Sequence, residues 1–321
     1  MPRFDPDRRN PTISILTFLA SLLAGNRMPL EIRPLVDYAF KKVFGSPENK
    51  AALISFVNAV LHLTRKIVEI EILNPFNEKN FKNDKLSIVD VKATDSVGAI
   101  FVIEMQLTVA QGLTKRLVYY ACQQVSNQLV EGRRYRELRP VYSICILDSI
   151  LWKDSGKVHH QFRFTDMESG QVLDETIEIH TLELRKYNQK ESDLVNATAL
   201  DCWLYWLSHA HEYETSRLLS LLPDSAIQQA THVLETIKMK SSELQRYQER
   251  EQALRDLGWQ VDAALHEGRK IGELTGKIQI LQELLDAVAT NSDDLAGKPI
   301  EELEELLRDL QQRLRNRPQP G

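Results

Sequence analysis

The sequence predicts an α/β domain, a mixed sheet flanked by helices, followed by an all-helical C-terminal region. Three observations lead there. Apolar runs with period-2 alternation and β-branched residues recur between positions 67 and 182. Stretches with helical spacing of apolar residues stand before and between them. From Leu194 the composition shifts, and almost everything as far as Arg315 is rich in Glu, Gln, Leu and Arg, without a clear strand pattern.

Taken in order, Leu35 to Phe44 has apolar residues at helical spacing and ends at Gly45-Ser46-Pro47, and Leu53 to Leu61 continues as a second helix. Ile67 to Leu73 alternates as a strand. Leu86 to Ala93 and Ala99 to Leu107 flank Asp95-Ser96-Val97-Gly98, a turn, and together predict an antiparallel hairpin. A helix follows from Leu113 to about Gly132, then a buried strand, Pro140 to Leu147. Phe162 to Phe164 and Thr176 to Leu182 make a further pair at the sheet margin. The resulting division is an extension over residues 1–27, an α/β domain over 28–190 and a helical region over 191–321.

With 321 residues, 43% apolar and 26% charged, the chain has an ordinary globular composition and room for about two domains. A net charge of -5 gives no global attraction for nucleic acid, so any such contact needs a local basic patch. Cys122, Cys145 and Cys202 are too few and too scattered for a disulfide framework or a zinc knuckle. His159-His160 and His209-Ala210-His211 lack the partners of a zinc motif.

The chemistry concentrates in the hairpin. Phe101 to Val109 reads as a buried strand, yet it contains Glu104 and Gln106, which alternation puts on one face. An unpaired buried charge is expensive. Folding about Asp95 to Gly98 pairs residues whose numbers sum to about 194, which sets Asp90 beside Glu104. Two carboxylates brought together repel unless a cation lies between them. A hard divalent ion such as Mg²⁺ or Mn²⁺ suits that oxygen-rich corner, with the Gln106 amide adding an oxygen or holding a water. The same spacing also fits hydrogen-bonded acids on a partly wet face.

Asp37 to Gly45, Phe56 to Leu61, Val89 to Asp95, Ile103 to Gln106, Arg116 to Tyr120, Gly132 to Tyr135, Ile179 to Lys186 and Gly268 to Gly276 stand in an order that resembles the PD-(D/E)XK nuclease superfamily. More narrowly, it resembles the Rpn branch of recombination-promoting nucleases and putative transposases, over about Met28 to Leu285. The resemblance implies a restriction-endonuclease-like core with Asp90 and Glu104 as metal-binding acids. Gln106 stands where the superfamily has Lys, so no cation is supplied there. Lys92, on the face of Asp90, is a candidate replacement, although a solvated lysine is the commoner case.

On the following helix Arg116, Tyr120 and Gln124 share one side, where Arg116 could fork onto a phosphate and Tyr120 could fix the scissile region, or both could brace the helix. Asp37 either reaches the metal or caps a helix. Arg133, Arg134, Arg136 and Arg139 concentrate positive charge that suits contact with the DNA phosphate backbone, although a solvated face is the commoner case. The implied activity is a Mg²⁺-dependent DNA endonuclease of low sequence preference, linked to recombination or transposition. The rivals are a silent DNA-binding or assembly protein that keeps the fold, and a helical scaffold.

In the tail, Gly268, Gly272 and Gly276 line one face and either admit a second helix closely or mark a hinge. Charged neighbours exclude a membrane role. Ile278 to Val288 and Pro299 to Leu314 form amphipathic helices that pair in cis or join two copies, cis packing being favoured. At the other end, Arg8-Arg9 precede the apolar run Ile13 to Ala24, which is shorter than the roughly 20 residues of a bilayer span. It is either a secretory signal or an extension ahead of an alternative start at Met28. The extension is favoured, because the domain begins just after it and DNA would be met in the cytoplasm.

Overall fold

The structure is a computed structural model that describes residues 28–76, 90–129, 131, 134–285 and 287–316. The apolar run from Ile13 to Ala24, the first part of the Leu86 to Ala93 strand, and Gly132 and Arg133 lie outside the described residues. The chain divides into two compact units after Arg250.

The first unit opens with helix α1 (Asp37–Phe44), which buries Tyr38, Phe40, Val43 and Phe44. It stops at Gly45, where an added Cβ would lie 2.7 Å from the Lys41 carbonyl oxygen, a distance only a residue without a side chain tolerates. Pro47 opens the next turn, and helix α2 (Lys50–Leu61) follows.

Six strands form one sheet: β1 (Ile70–Ile72), β2 (Val91–Asp95), β3 (Ile100–Gln106), β4 (Val141–Leu147), β5 (His159–Thr165) and β6 (Val172–Glu183), in the order β1-β2-β3-β4-β6-β5. The β1, β2 and β3 neighbours are antiparallel, β3-β4 and β4-β6 are parallel, and β5 closes the margin antiparallel to β6. The parallel step from β3 to β4 is made through helix α3 (Leu113–Ser126), the crossover such a pair requires. Its Leu113, Leu117 and Ala121 pack on Val141, Cys145, Leu147 and Ile179 of the sheet.

The hairpin register is fixed by its turn. The Asp95 carboxylate accepts from the amides of Val97 (3.0 Å) and Ala99 (2.9 Å), while Gly98 takes a positive φ of 87°. Val91 then pairs with Ile103 and Lys92 with Val102, the sum of 194 that the sequence predicts.

Helices α4 (Ala199–His209), α5 (Thr215–Leu221) and α6 (Ser225–Met239) belong to this same unit, although composition alone sets a boundary near 190. The reason is aromatic burial. Trp203 and Trp206 are fully buried, with the Trp203 ring centroid 5.5 Å from Phe44 and 5.8 Å from Phe56. Their indole N–H groups are satisfied, Trp203 donating to Ser55 Oγ (3.1 Å) and Trp206 to Thr231 Oγ1 (2.9 Å).

The second unit begins within helix α7 (Ser241–Leu284) and contains α8 (Ser292–Ala296) and α9 (Ile300–Arg315). Leu274 and Ile278 of α7 form its core with Leu295, Leu303 and Leu310, so the amphipathic helices pair in cis. Lys270 and Glu304 add an ion pair at 2.8 Å. Among the described residues nothing approaches Gly268, Gly272 or Gly276 closely, since a Cβ on any of them would meet nothing within 4 Å, and α7 continues through all three. Among the described residues, no helix is long and apolar enough to cross a membrane.

Candidate active site

The site forms at the end of the hairpin away from its turn. Asp90 immediately precedes β2, and continuing the register by one residue sets it opposite Glu104. One carboxylate oxygen, Oδ2, accepts the Met105 amide N–H at 2.7 Å, which locks the acid against β3. The other, Oδ1, lies 3.7 Å from Lys41 Nζ, and that ammonium sits 3.1 Å from Asp37 Oδ1. Asp37 and Lys41 come from successive turns of α1, the i, i+4 acid-to-base order that brings such groups together.

Glu104 is 2% exposed, and among the described residues neither of its carboxylate oxygens has a hydrogen-bond partner. Its nearest cation is Arg116 of α3, with Nη2 at 3.8 Å from Oε2. The Arg116 Nε and Nη2 groups are themselves buried without a hydrogen-bond acceptor. A buried carboxylate and guanidinium that face each other without a hydrogen bond both keep bonding capacity for a further partner, because buried polar groups are otherwise satisfied.

The electrostatics follow from this enclosure. Burial pushes the Asp90 carboxyl up to about 6, against the opposing pull of the Met105 N–H; the Asp37 charge pushes the same way and Lys41 resists it. Burial likewise pushes Glu104 up to about 7, with Arg116 opposing and Asp90 reinforcing the rise. Cys145, level with Glu104 on β4, has its thiol pushed upward by burial first and then by Glu104, so it stays protonated and a poor metal ligand.

Among the described residues no group of three or more His, Cys, Asp or Glu is gathered as a complete metal cage. The donor set is two carboxylates with an amide two residues further along β3, all hard oxygen. That fits an ion of the Mg²⁺ kind, which keeps several waters and takes one or two carboxylates, and it does not fit zinc. The unbonded Glu104 oxygens are the observation that makes the fit.

The other expected residues divide. Gln106 is half-buried at the end of β3, where its carbonyl accepts from the Asp148 amide at 2.9 Å. Lys92 pairs with Val102, a step toward the turn from the acids, and its amide is held by Asn74 Oδ1 at 2.6 Å. Gln124 is buried two turns beyond Arg116 with its Oε1 unpartnered, while Tyr120 meets Tyr119 edge-on, centroids 5.6 Å apart.

Arg134, Arg136 and Arg139 are exposed but stand elsewhere. The Arg139 side chain packs against the Gly98 turn, just before β4 begins, at the opposite end of the strands from Glu104. At ~3.3 Å per residue the separation is roughly 20 Å. Lys41 is the site residue that sequence reasoning passed over. Its signal was the Asp37 to Lys41 spacing, but only packing brings α1 to Asp90.

No curated protein and no solved structure matches the chain significantly. A family model described as PD-(D/E)XK nuclease family transposase matches residues 34–264, well over half of the sequence. The mixed sheet with flanking helices agrees with that fold, and the chain belongs to the PD-(D/E)XK nuclease family transposases, generally phosphodiester hydrolases.

Proposed function

We propose that this protein is a Mg²⁺- or Mn²⁺-dependent DNA endonuclease of the Rpn branch, cutting phosphodiester bonds with little sequence preference during recombination or transposition. The observation that supports it most is Glu104: a buried carboxylate, opposite Asp90, whose two oxygens are unbonded. Asp90 and Glu104 are the ligands in this reading, with Asp90 held in place by the Met105 amide. When bound, the ion supplies a water of lowered pKa and neutralises charge on the phosphate oxygens. Gln106 orients a water through its amide, since it has no titratable proton to exchange. Arg116 is placed to take a phosphate oxygen by a charge-assisted bond, and Asp37 acts through Lys41 rather than as a ligand.

One observation favours a second reading, a DNA-binding or assembly protein that has lost cleavage: Gln106 stands where nucleases of this kind carry a lysine. Supercoiled plasmid incubated with purified protein and Mg²⁺ or Mn²⁺ separates the two. The nuclease reading expects nicking by the parent and none by Asp90→Ala. DNA binding without cleavage in every divalent ion favours the second reading, and equal nicking by parent and variant means a contaminating enzyme.

A further inference from the structure

A carboxylate pair that holds one divalent ion still faces a phosphate whose negative charge grows during attack, and fixed positive charge nearby is the commonest way to stabilise it. Position 106 supplies none. Lys41 is 7% exposed, an unusual degree of burial for a lysine, and a buried ammonium demands acidic neighbours. It has Asp37 at 3.1 Å and Asp90 at 3.7 Å.

Lys41 approaches Oδ1 of Asp90 at 3.7 Å, and an oxygen with two lone pairs keeps capacity for another cation there, while Oδ2 is committed to Met105. Lys41 therefore shares Asp90 without saturating it. Among the described residues, Lys92 of the hairpin pairs further toward the turn.

We propose that Lys41 supplies, from helix α1, the fixed positive charge that the strand lacks at Gln106, sharing Asp90 with the divalent ion and stabilising the charge that develops on the phosphate. The inference rests on the nuclease reading. It makes the lysine of this site a helix residue and explains why an amide is tolerated on β3.

The test compares parent, Lys41→Gln and the double variant Lys41→Gln/Gln106→Lys at pH 8. Three quantities are read: plasmid nicking rate, Mn²⁺ affinity by electron paramagnetic resonance of the free ion, and melting temperature. Lys41→Gln should slow nicking by about 100-fold, the scale of losing one electrostatic stabiliser. It should also tighten Mn²⁺ several-fold, because the ligand Asp90 loses a competing cation. Gln106→Lys in that background should restore about tenfold of the lost rate by returning a charge to the site.

Slower cutting with tighter metal is a combination that a mere brace between α1 and the hairpin would not give. Nicking by Lys41→Gln within about threefold of the parent overturns the proposal. So does a joint fall in Mn²⁺ affinity and melting temperature that Gln106→Lys leaves uncorrected, since Lys41 is then a packing element. A parent that never cuts overturns the nuclease reading itself and takes this inference with it, whereas a cutting parent with a cutting variant sinks the inference alone.

Discussion

Asp90 binds the backbone of the strand that carries Glu104: its Oδ2 accepts the Met105 N–H at 2.7 Å, one residue beyond the acid it faces. The bond holds the two carboxylates together while both resist ionisation, at about 6 for Asp90 and about 7 for Glu104. That tension has consequences for stability, catalysis and the roles of the neighbouring residues.

Without metal, the folded protein keeps protons on these acids to higher pH than the unfolded chain does, so its stability falls as pH rises from roughly 4 through 7. Metal-free protein is therefore expected to become more stable between pH 8 and pH 5.5. Glu104→Gln should lose much of that dependence and be more stable than the parent at pH 8 by about 1–3 kcal/mol. Urea melts in chelator across this range provide the measurement, and a variant as steeply pH-dependent as the parent would contradict the assignment.

Catalysis requires the opposite protonation state. Nicking in Mg²⁺ should rise with pH through the region of about 6 to 7, where Asp90 and Glu104 ionise. Raising the metal concentration should move that limb to lower pH, because metal and proton compete for the same oxygens. Rate profiles at two Mg²⁺ concentrations that superimpose would exclude these acids as ligands.

Arg116 and the Arg136/Arg139 pair should separate in a cleavage assay. Arg116→Ala removes the cation 3.8 Å from Glu104 and should reduce nicking about 10- to 100-fold. Arg139 lies roughly 20 Å away along the strands and Arg136 precedes it in the turn before β4, so Arg136→Ala and Arg139→Ala should change the rate less than about threefold, while weakening DNA binding in a salt-dependent manner. Equal effects from both groups would mean that DNA wraps the sheet end to end.

Helices α4 to α6 should melt with the sheet. Trp206→Ala is expected to cost about 3–5 kcal/mol through cavity formation and the loss of its bond to Thr231. Hydrogen exchange at the β4 amides should quicken along with exchange in α4 and α6. Unchanged β4 protection would show that these helices are a separate appendage.

Much of the hairpin was legible beforehand. Its strands alternate, its turn contains Asp and Gly, and antiparallel pairing is arithmetic once the turn is located, so Asp90 opposite Glu104 followed directly. Lys41 was not legible in its role, because helix periodicity gives a buried face without naming what that face meets. Trp203 and Trp206 read as helix residues, yet nothing local said that their core was shared with Phe44 and Phe56. The Arg134 to Arg139 cluster follows the acids closely in sequence. Only the parallel pairing of β3 and β4 reveals that a residue just before β4 lies at the far end from Glu104.

The tight turn at Asp95 to Gly98 does more than reverse the chain. Because side chains alternate, one additional residue there would swing a carboxylate to the wrong surface of the sheet and separate Asp90 from its counterpart. A single-codon insertion in the turn is thus a short mutational route by which a lineage could dismantle the carboxylate pair while sparing the aromatic core around Trp203.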